Sequence, residues 1–116
     1  RADGLVLATP TGSTAYALSA GGPILHPTLE AFVLTPVCAH TLSARPIAVN
    51  GRSEIEINLI HADDARVHFD GQIHHDLFIG DRVNVRRAKN TVRLLHPPEH
   101  NYYDTLRQKL HWGEKL

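Results

Sequence analysis

Short strand-like segments divided by turn residues are the feature that most constrains how this chain folds. Residues 54–59 alternate polar and apolar side chains, as a strand with one wet and one buried face does, and Val83 and Val85 alternate with polar neighbours. Further strand-like segments are residues 5–8, 31–37 (broken at Pro36), 46–49, 67–69 and 92–95. A spacing of roughly 8–12 residues between short strands is typical of sandwiches and barrels rather than βαβ folds. We therefore expect a mainly β fold, a β-sandwich of short strands.

Turn chemistry separates these segments. Asn50-Gly51 is the strongest short hairpin signal in the chain, because both residue types tolerate the positive φ that tight hairpin turns need. Residues 62–65 are expected to turn the chain back after the strand at 54–59, and Asp70-Gly71 is expected to turn it again.

The opening segment combines a strand, a polar turn and a helix start. The apolar residues 5–8 predict a buried strand that breaks at Thr9-Pro10. Residues 15–20 predict a short helix, and Gly21-Gly22-Pro23 ends it. A turn rich in hydroxyls and glycine before a helix start is suited to holding a polar ligand. It is equally explained by helix capping through Ser13 or Thr14 with no ligand at all.

Composition excludes several classes of function. Lysine plus arginine equals aspartate plus glutamate at 12 each, so no net field favours nucleic acid or an anionic membrane. No apolar run approaches the roughly 20 residues that span a bilayer. The single Cys38 excludes an internal disulfide and fits a reducing, cytoplasmic location. The chain starts at Arg1 and contains no methionine, so we expect a piece of a longer protein.

A helix is predicted at the carboxyl end. Pro97-Pro98 ends the strand pattern, and Tyr103, Leu106 and Leu110 then fall on one helix face. The strands before Pro97 already make up the predicted sandwich, so the sequence suggests no surface within it against which this apolar face would pack. The alternative is a terminal helix that packs locally.

Residues 3–23 (DGLVLATPTGSTAYALSAGGP) closely resemble the nucleotide-binding signature of NAD kinases, the ATP- or polyphosphate-dependent enzymes that phosphorylate NAD. The resemblance continues in 26–27 (HP), 41–46 (TLSARP), 70–72 (DGQ) and 110–113 (LHWG), and the second and last of these look bacterial. It implies that residues 1–97 are the carboxyl-terminal, NAD-binding β-sandwich domain. Residues 98–116 would be a helical tail that returns to an amino-terminal domain.

The resemblance also implies which residues bind NAD. Asp3 would accept hydrogen bonds from the dinucleotide, Tyr16 would offer a stacking face and a phenol, and Gln72 would be a further contact. The full implied set is Arg1, Asp3, Thr14, Ala15, Tyr16, Ala17, Leu18, Ser19, Cys38 and Gln72. Each of these residues also has an interpretation without a ligand. Asp3 would then be a solvated carboxylate at a strand end, Ala17 and Leu18 would pack the helix, and Gln72 would only cap a hairpin.

No catalytic or metal-binding residue is expected within this chain. His74-His75 are adjacent on a strand and therefore point to opposite faces, and no partner at zinc-ligand spacing joins them. A Ser/His/Asp hydrolase is not expected, because neither Ser13 nor Ser19 lies in the Gly-x-Ser-x-Gly turn that presents such a nucleophile. The Gly-Gly-Asp-Gly motif and the Asn-Glu pair of NAD kinases do not occur in the sequence. The resemblance thus assigns the general-base aspartate, Mg²⁺ and the phosphoryl donor to a missing domain, and implies that this piece alone is inactive and binds no cofactor.

The parent enzyme implied by the resemblance transfers a phosphoryl group from ATP or polyphosphate to the adenosine-ribose 2′-hydroxyl of NAD, which gives NADP. It would act as a homodimer or homotetramer with pocket elements shared between subunits. One alternative is a lipid kinase of the same superfamily, with an acyl channel in place of the Thr-Ala-Tyr pocket. A second is a non-catalytic β-sandwich used for protein interaction.

Overall fold

The computed structural model describes residues 3–37 and 45–115. Within them the elements are β1 (Gly4–Ala8), a 3₁₀ helix (Thr11–Thr14), α1 (Tyr16–Ser19), β2 (Ala31–Val37), β3 (Ile47–Asn50), β4 (Ile55–Asn58), β5 (Ala65–Phe69), β6 (Ile73–Leu77), β7 (Arg82–Val85) and α2 (Tyr102–Leu110). The predicted fold class, mainly β with one short helix after the polar turn and a second at the carboxyl end, is confirmed.

The strands form three small antiparallel sheets, an arrangement consistent with a sandwich. One sheet has the order β1-β2-β3, and the other two are the pairs β4-β7 and β5-β6. In β4 and β7 the apolar residues are half-buried and the polar ones exposed, as the sequence alternation predicts.

The hydrophobic core lies where β1 and β2 meet α1. It is centred on Val33, which is fully buried, with Ala8, Ala17 and Leu25 packed around it. The small alanine side chains let the turn of α1 approach the sheet closely. The polar turn between β1 and α1 therefore rests directly on the best-packed part of the chain.

The prediction that Pro36 breaks its strand was wrong. β2 continues to Val37, and Pro36 lies opposite Leu5 of β1. β3 pairs only with the first part of β2, from Ala31 to Leu34, so at Pro36 the sheet has a neighbour on one side. A proline, which has no N–H to donate, is tolerated at such an edge.

The hairpin expected at Asn50-Gly51 was also wrong, although a turn forms there. Its flanking strands belong to different sheets, since β3 pairs with β2 and β4 pairs with β7. The Gly51 N–H donates to the Glu30 carbonyl at 3.0 Å, and a Cβ on Gly51 would lie 3.0 Å from the Glu30 carbonyl carbon. Close approach to a neighbouring backbone, rather than hairpin closure, explains this glycine.

The hairpin signal at Asp70-Gly71 is confirmed. It joins β5 to β6, and both residues have positive φ, 53° for Asp70 and 71° for Gly71. The prediction that residues 62–65 turn the chain back onto the preceding strand was wrong. The next strand, β5, pairs with β6, and β4 pairs with β7.

The strand predicted at 92–95 does not form. These residues have no assigned secondary structure, and Val92 and Leu95 are 87% and 88% exposed. The segment is apolar, as the prediction assumed, but a strand also needs a neighbouring strand to hydrogen-bond its backbone. No strand in the described part of the chain pairs with residues 92–95.

The carboxyl-terminal helix α2 forms and is well capped. The Asn101 side chain accepts a hydrogen bond from the Tyr103 N–H at 2.9 Å, and His111 ends the helix in a left-handed conformation. On the predicted apolar face Leu106 is buried, whereas Tyr103 and Leu110 are 50% and 37% exposed. Neither helix in the described ranges has the length and apolar character needed to cross a membrane.

Candidate functional site

The polar turn after β1 is built around Ser13, which is fully buried. Its hydroxyl donates to the Pro10 carbonyl at 2.6 Å and accepts from the Leu25 N–H at 3.0 Å. The Gly12 N–H donates to Thr9 Oγ1 at 3.2 Å. The hydroxyls of Thr9 and Ser13 thus hold the turn in place, which leaves Thr14 as the half-exposed hydroxyl nearest α1.

Neither Ser13 nor Thr14 caps α1, contrary to the capping alternative. The residue at the cap position is Ala15, and no side chain there makes a capping hydrogen bond. The reason is that the 3₁₀ helix continues through Thr14 and changes direction at Ala15, which places Ser13 two residues before the cap position. The Ser13 hydroxyl instead links this turn to the segment that follows α1 at Leu25.

Behind α1 the chain packs too tightly for any side chain at Gly22. A Cβ there would lie 2.6 Å from Thr35 Oγ1 and 2.9 Å from the Ala17 carbonyl oxygen. The Gly22 N–H donates to that same Ala17 carbonyl at 2.8 Å. The end of α1 is therefore fixed against β2, which gives the outer face of α1 a rigid support.

On the outer face Thr14, Ala15, Tyr16 and Ser19 line a shallow depression of about 250 Å³, called here the Tyr16 depression. Four of the predicted NAD-binding residues are thus brought together. The Tyr16 ring is 74% exposed, so its face is open to a ligand. Two hydroxyls, a methyl group and an aromatic ring supply polar partners, close approach and a stacking surface at one place.

The hairpin turn between β5 and β6 lies against the Tyr16 ring. A Cβ on Gly71 would be 3.8 Å from Tyr16 Cε2 and 3.9 Å from the tyrosine hydroxyl oxygen. Gln72 follows immediately, is exposed, and donates its N–H to the Phe69 carbonyl at 3.1 Å. The fold therefore places the turn that carries Gln72 beside the depression, although Gln72 and Tyr16 are far apart in sequence.

The other predicted site residues are placed elsewhere. Asp3 is exposed and directly precedes β1, whose five residues extend about 16 Å before the polar turn starts. Ala17 is 1% exposed and belongs to the core, in agreement with the packing interpretation, and Leu18 is half-buried. Arg1 and Cys38 lie outside the described residues.

A second depression, of about 300 Å³, was not predicted. Its lining residues are Thr9, Pro10, Pro27, Thr28, Leu29, Glu30, Ala31, Phe32, Gly51 and Arg87. Glu30 there pairs with Arg87 at 3.1 Å and lies 3.8 Å from Arg52, so its charge is already matched. These partners are distant in sequence, and no local pattern signals that they meet.

The described residues contain no group of three or more histidine, cysteine, aspartate or glutamate side chains arranged to hold a metal. His74 and His75 are both exposed on β6, as the sequence predicts.

The architecture is thus a small-sheet β domain whose first strand leads into a polar turn and a one-turn helix, and these present a shallow, partly polar surface. Residues 1–97 match the family model for the ATP-NAD kinase carboxyl-terminal domain, and the chain belongs to that family. The resemblance seen in the sequence is confirmed.

Relatives and solved structures agree with this assignment. The chain is 71% identical over its full length to an NAD kinase of Thiobacillus denitrificans and 62% identical to one of Chromobacterium violaceum, and it spans 40% of the length of each. A yeast NADH kinase solved with NADH superposes with a TM-score of 0.86 at 31% identity, over 99% of this chain and 37% of that one. An Archaeoglobus fulgidus NAD kinase solved with ATP gives 0.68 at 37% identity, over 77% of this chain and 34% of that one.

Proposed function

We propose that this chain forms the NAD-binding part of an NAD kinase that phosphorylates the adenosine-ribose 2′-hydroxyl of NAD to give NADP. The observation that carries the proposal is the Tyr16 depression, where Thr14, Ala15, Tyr16 and Ser19 converge and the turn with Gln72 lies alongside. The relatives' names and the NADH bound to the yeast kinase support a nicotinamide dinucleotide as the ligand.

Each residue of the depression has a distinct role in this proposal. The exposed Tyr16 ring stacks on a flat ring of the dinucleotide, and the hydroxyls of Thr14 and Ser19 bond its polar edge. Ala15 is small enough to admit the ligand to the backbone. Gln72 follows Gly71, whose backbone lies beside the Tyr16 ring, and in this proposal its side chain closes one side of the site.

Asp3, at the far end of β1, contacts NAD held by a second copy of the chain. Its separation from the polar turn favours such a shared site over one built within a single chain. We accordingly propose a homodimer or homotetramer, in which Arg1 and Cys38 also lie near the dinucleotide. Sizing with light scattering tests this, and a strictly monomeric, fully active enzyme would contradict it.

The phosphoryl donor and its metal ion bind outside the described residues. The proposed donor is ATP or polyphosphate, and the ATP bound to the Archaeoglobus enzyme supports the first. Mg²⁺ takes oxygen ligands, and the described residues contain no group of three or more histidine, cysteine, aspartate or glutamate side chains arranged to hold an ion. Residues 98–116 return to the domain that supplies these groups, and the single cysteine favours a cytoplasmic location.

The decisive experiment measures NAD affinity in the full-length enzyme. Tyr16→Ala removes a stacking surface worth ~1–3 kcal/mol, which weakens NAD binding roughly 5- to 150-fold and leaves the donor's apparent affinity unchanged. Tyr16→Phe separates stacking from hydrogen bonding by the phenol. Asp3→Asn exchanges an acceptor for a donor and also weakens NAD selectively.

Tyr103→Ala is the matched control, because it removes an exposed tyrosine from α2 rather than from the depression. Thermal melts of every variant must match the parent. If folded Tyr16→Ala and Asp3→Asn both bind NAD like the parent, the NAD site lies elsewhere. An interaction module or a lipid kinase predicts that result.

The chain 1–116 alone is expected to form no NADP with ATP or polyphosphate and Mg²⁺. Its sequence lacks the Gly-Gly-Asp-Gly motif, and base catalysis and phosphate positioning each contribute large rate factors. Turnover above background by the pure chain would contradict the proposal that another domain supplies the catalytic base and the donor site.

A further inference from the structure

The hairpin of β5 and β6 places two histidines side by side on one face. His68 and His74 are directly opposite each other in the strand register, and both are exposed. Their ring centroids are 5.7 Å apart with an interplanar angle of 38°. Side chains directly opposite across antiparallel strands have Cβ atoms about 4.5–5.5 Å apart, so both rings extend from one small area of the surface.

We propose that His68 and His74 together bind a divalent late transition-metal ion, with water completing its coordination. A tetrahedral zinc ion with Zn–N distances of ~2.0 Å holds two imidazole centroids about 5 Å apart. The observed 5.7 Å therefore needs only a small rotation of each ring. Imidazole nitrogen suits Zn²⁺, Ni²⁺ and Cu²⁺, whereas Mg²⁺ and Ca²⁺ take oxygen ligands.

Other histidine pairs in the described residues lack this geometry. His75 points to the opposite face of β6, where its ring contacts Phe69 with centroids 5.9 Å apart. His96 and His100 stack at 3.9 Å with an interplanar angle of 9°. Ring-nitrogen lone pairs lie in the ring planes, so two nearly parallel stacked rings do not direct them at one ion.

The bound ion would link the two strands of an isolated pair. Within the described residues β5 and β6 form a two-stranded sheet of their own, and such a hairpin is marginally stable in water. The next pair on the same face, Arg66 and Asp76, already forms an ion pair at 2.9 Å. Two cross-strand links, one ionic and one through a metal, would then hold this hairpin. The site requires no nucleotide, and it stands or falls apart from NAD binding.

Calorimetric titration of the EDTA-treated full-length protein with Zn²⁺, without nucleotide, tests the proposal. We expect a binding step that becomes at least about tenfold weaker in His68→Ala and in His74→Ala, since loss of a mere hydrogen-bond partner of a metal ligand already weakens metal binding by that much. His75→Ala, on the adjacent residue of the same strand, should retain the parent affinity. The proposal is overturned if no such step exists, if the first two variants bind like the parent, or if His75→Ala weakens binding equally.

A spectroscopic measurement locates the ion directly. Substoichiometric Cu²⁺ should broaden the imidazole NMR signals of His68 and His74 together, with the same variants providing the assignments. Broadening centred on His96 and His100 instead would overturn the assignment, because the paramagnetic ion would then be bound at the stacked pair.

Discussion

The first region (residues 3–37) and the second region (residues 52–101) differ in how completely they bury their side chains. Five of the six buried apolar side chains among the described residues lie in the first region, and the other is Leu106 of α2. No residue of the second region is buried. The first region carries its own core, and the Tyr16 depression rests on that core. The second region contributes Gln72 on a hairpin that has little packing of its own.

The second region also exposes many large apolar side chains. These are Ile60, Phe69, Ile73, Phe78, Ile79, Val92, Leu94 and Leu95, each at least 47% exposed. Extensive exposed apolar surface marks interaction sites. It supports the proposal that a second copy or another domain covers this region in the working enzyme. The comparison teaches that one half of the proposed site rests on its own packed core, whereas the other half has no buried residue of its own to hold it.

The largest expected effect compares the same substitution in the two regions. Val33→Asp places a carboxylate where the native side chain is fully buried, and we expect a loss of more than ~4 kcal/mol in the free energy of unfolding. Val92→Asp, at a position 87% exposed within this chain, should cost less than half as much, because the carboxylate loses water only where the proposed partner covers it. Chemical denaturation of the full-length protein measures both. Equal losses would mean that the second region is as tightly packed as the first in the intact protein.

A smaller loss is expected where α1 meets β2. Gly22→Ala forces a methyl group to 2.6 Å from Thr35 Oγ1 and 2.9 Å from a backbone oxygen, which should cost ~3 kcal/mol of unfolding free energy. Gly12→Ala is the control, because its nearest atom would be at an ordinary 3.5 Å. Adding Thr35→Ala to Gly22→Ala should restore part of the loss, because it removes the closest atom. No rescue would place the strain at the Ala17 carbonyl.

Sequence reasoning performed unequally in the two regions, for a physical reason. In the first region local signals sufficed for β1 and α1, since the apolar residues 5–8 and the glycines after α1 act on near neighbours, but they misplaced a strand break at Pro36. In the second region the alternation in β4 and β7 was read correctly, but their pairing was not. The dipeptides Asn50-Gly51 and Asp70-Gly71 look alike, yet only the latter closes a hairpin. At Gly51 the backbone packs against the Glu30 backbone instead of closing a hairpin. Because Glu30 is distant in sequence, no pattern near Asn50-Gly51 predicts this contact.

The same division holds for the candidate site. The resemblance identified Thr14, Ala15, Tyr16 and Ser19, and the structure gathers them because they lie within six positions of the sequence, at the start and the end of α1. The approach of the Gly71 turn to Tyr16 depends on the whole chain path. The role of Ser13 was missed, because its bond to Leu25 spans α1 and a hydroxyl in that position also fits a helix cap.

Ser13→Ala should separate support from binding. The substitution leaves the buried Leu25 N–H without its acceptor, which costs ~2 kcal/mol of unfolding free energy. Ser19→Ala, on the exposed face of α1, should leave stability unchanged and weaken NAD binding instead. Thermal melts and NAD titrations of both variants decide this. If Ser19→Ala were the more destabilising of the two, Ser19 would be the structural hydroxyl of this turn.

The smallest expected effect concerns Thr35, the one described side chain with a buried oxygen that has no hydrogen-bond partner. Thr35→Val replaces that hydroxyl with a methyl group of similar shape, so no hydrogen bond is lost and a desolvation cost is removed. The free energy of unfolding should stay level or rise by up to ~1 kcal/mol, because the Thr35 side chain is fully buried and its unpaired hydroxyl is the unfavourable feature that the substitution removes. Thr35→Ser is the control: it keeps the hydroxyl, leaves a cavity and should destabilise the protein. If Thr35→Val were the more destabilising variant, the Thr35 hydroxyl would have a partner in the working enzyme, and the core beneath α1 would depend on assembly, as we propose for the second region.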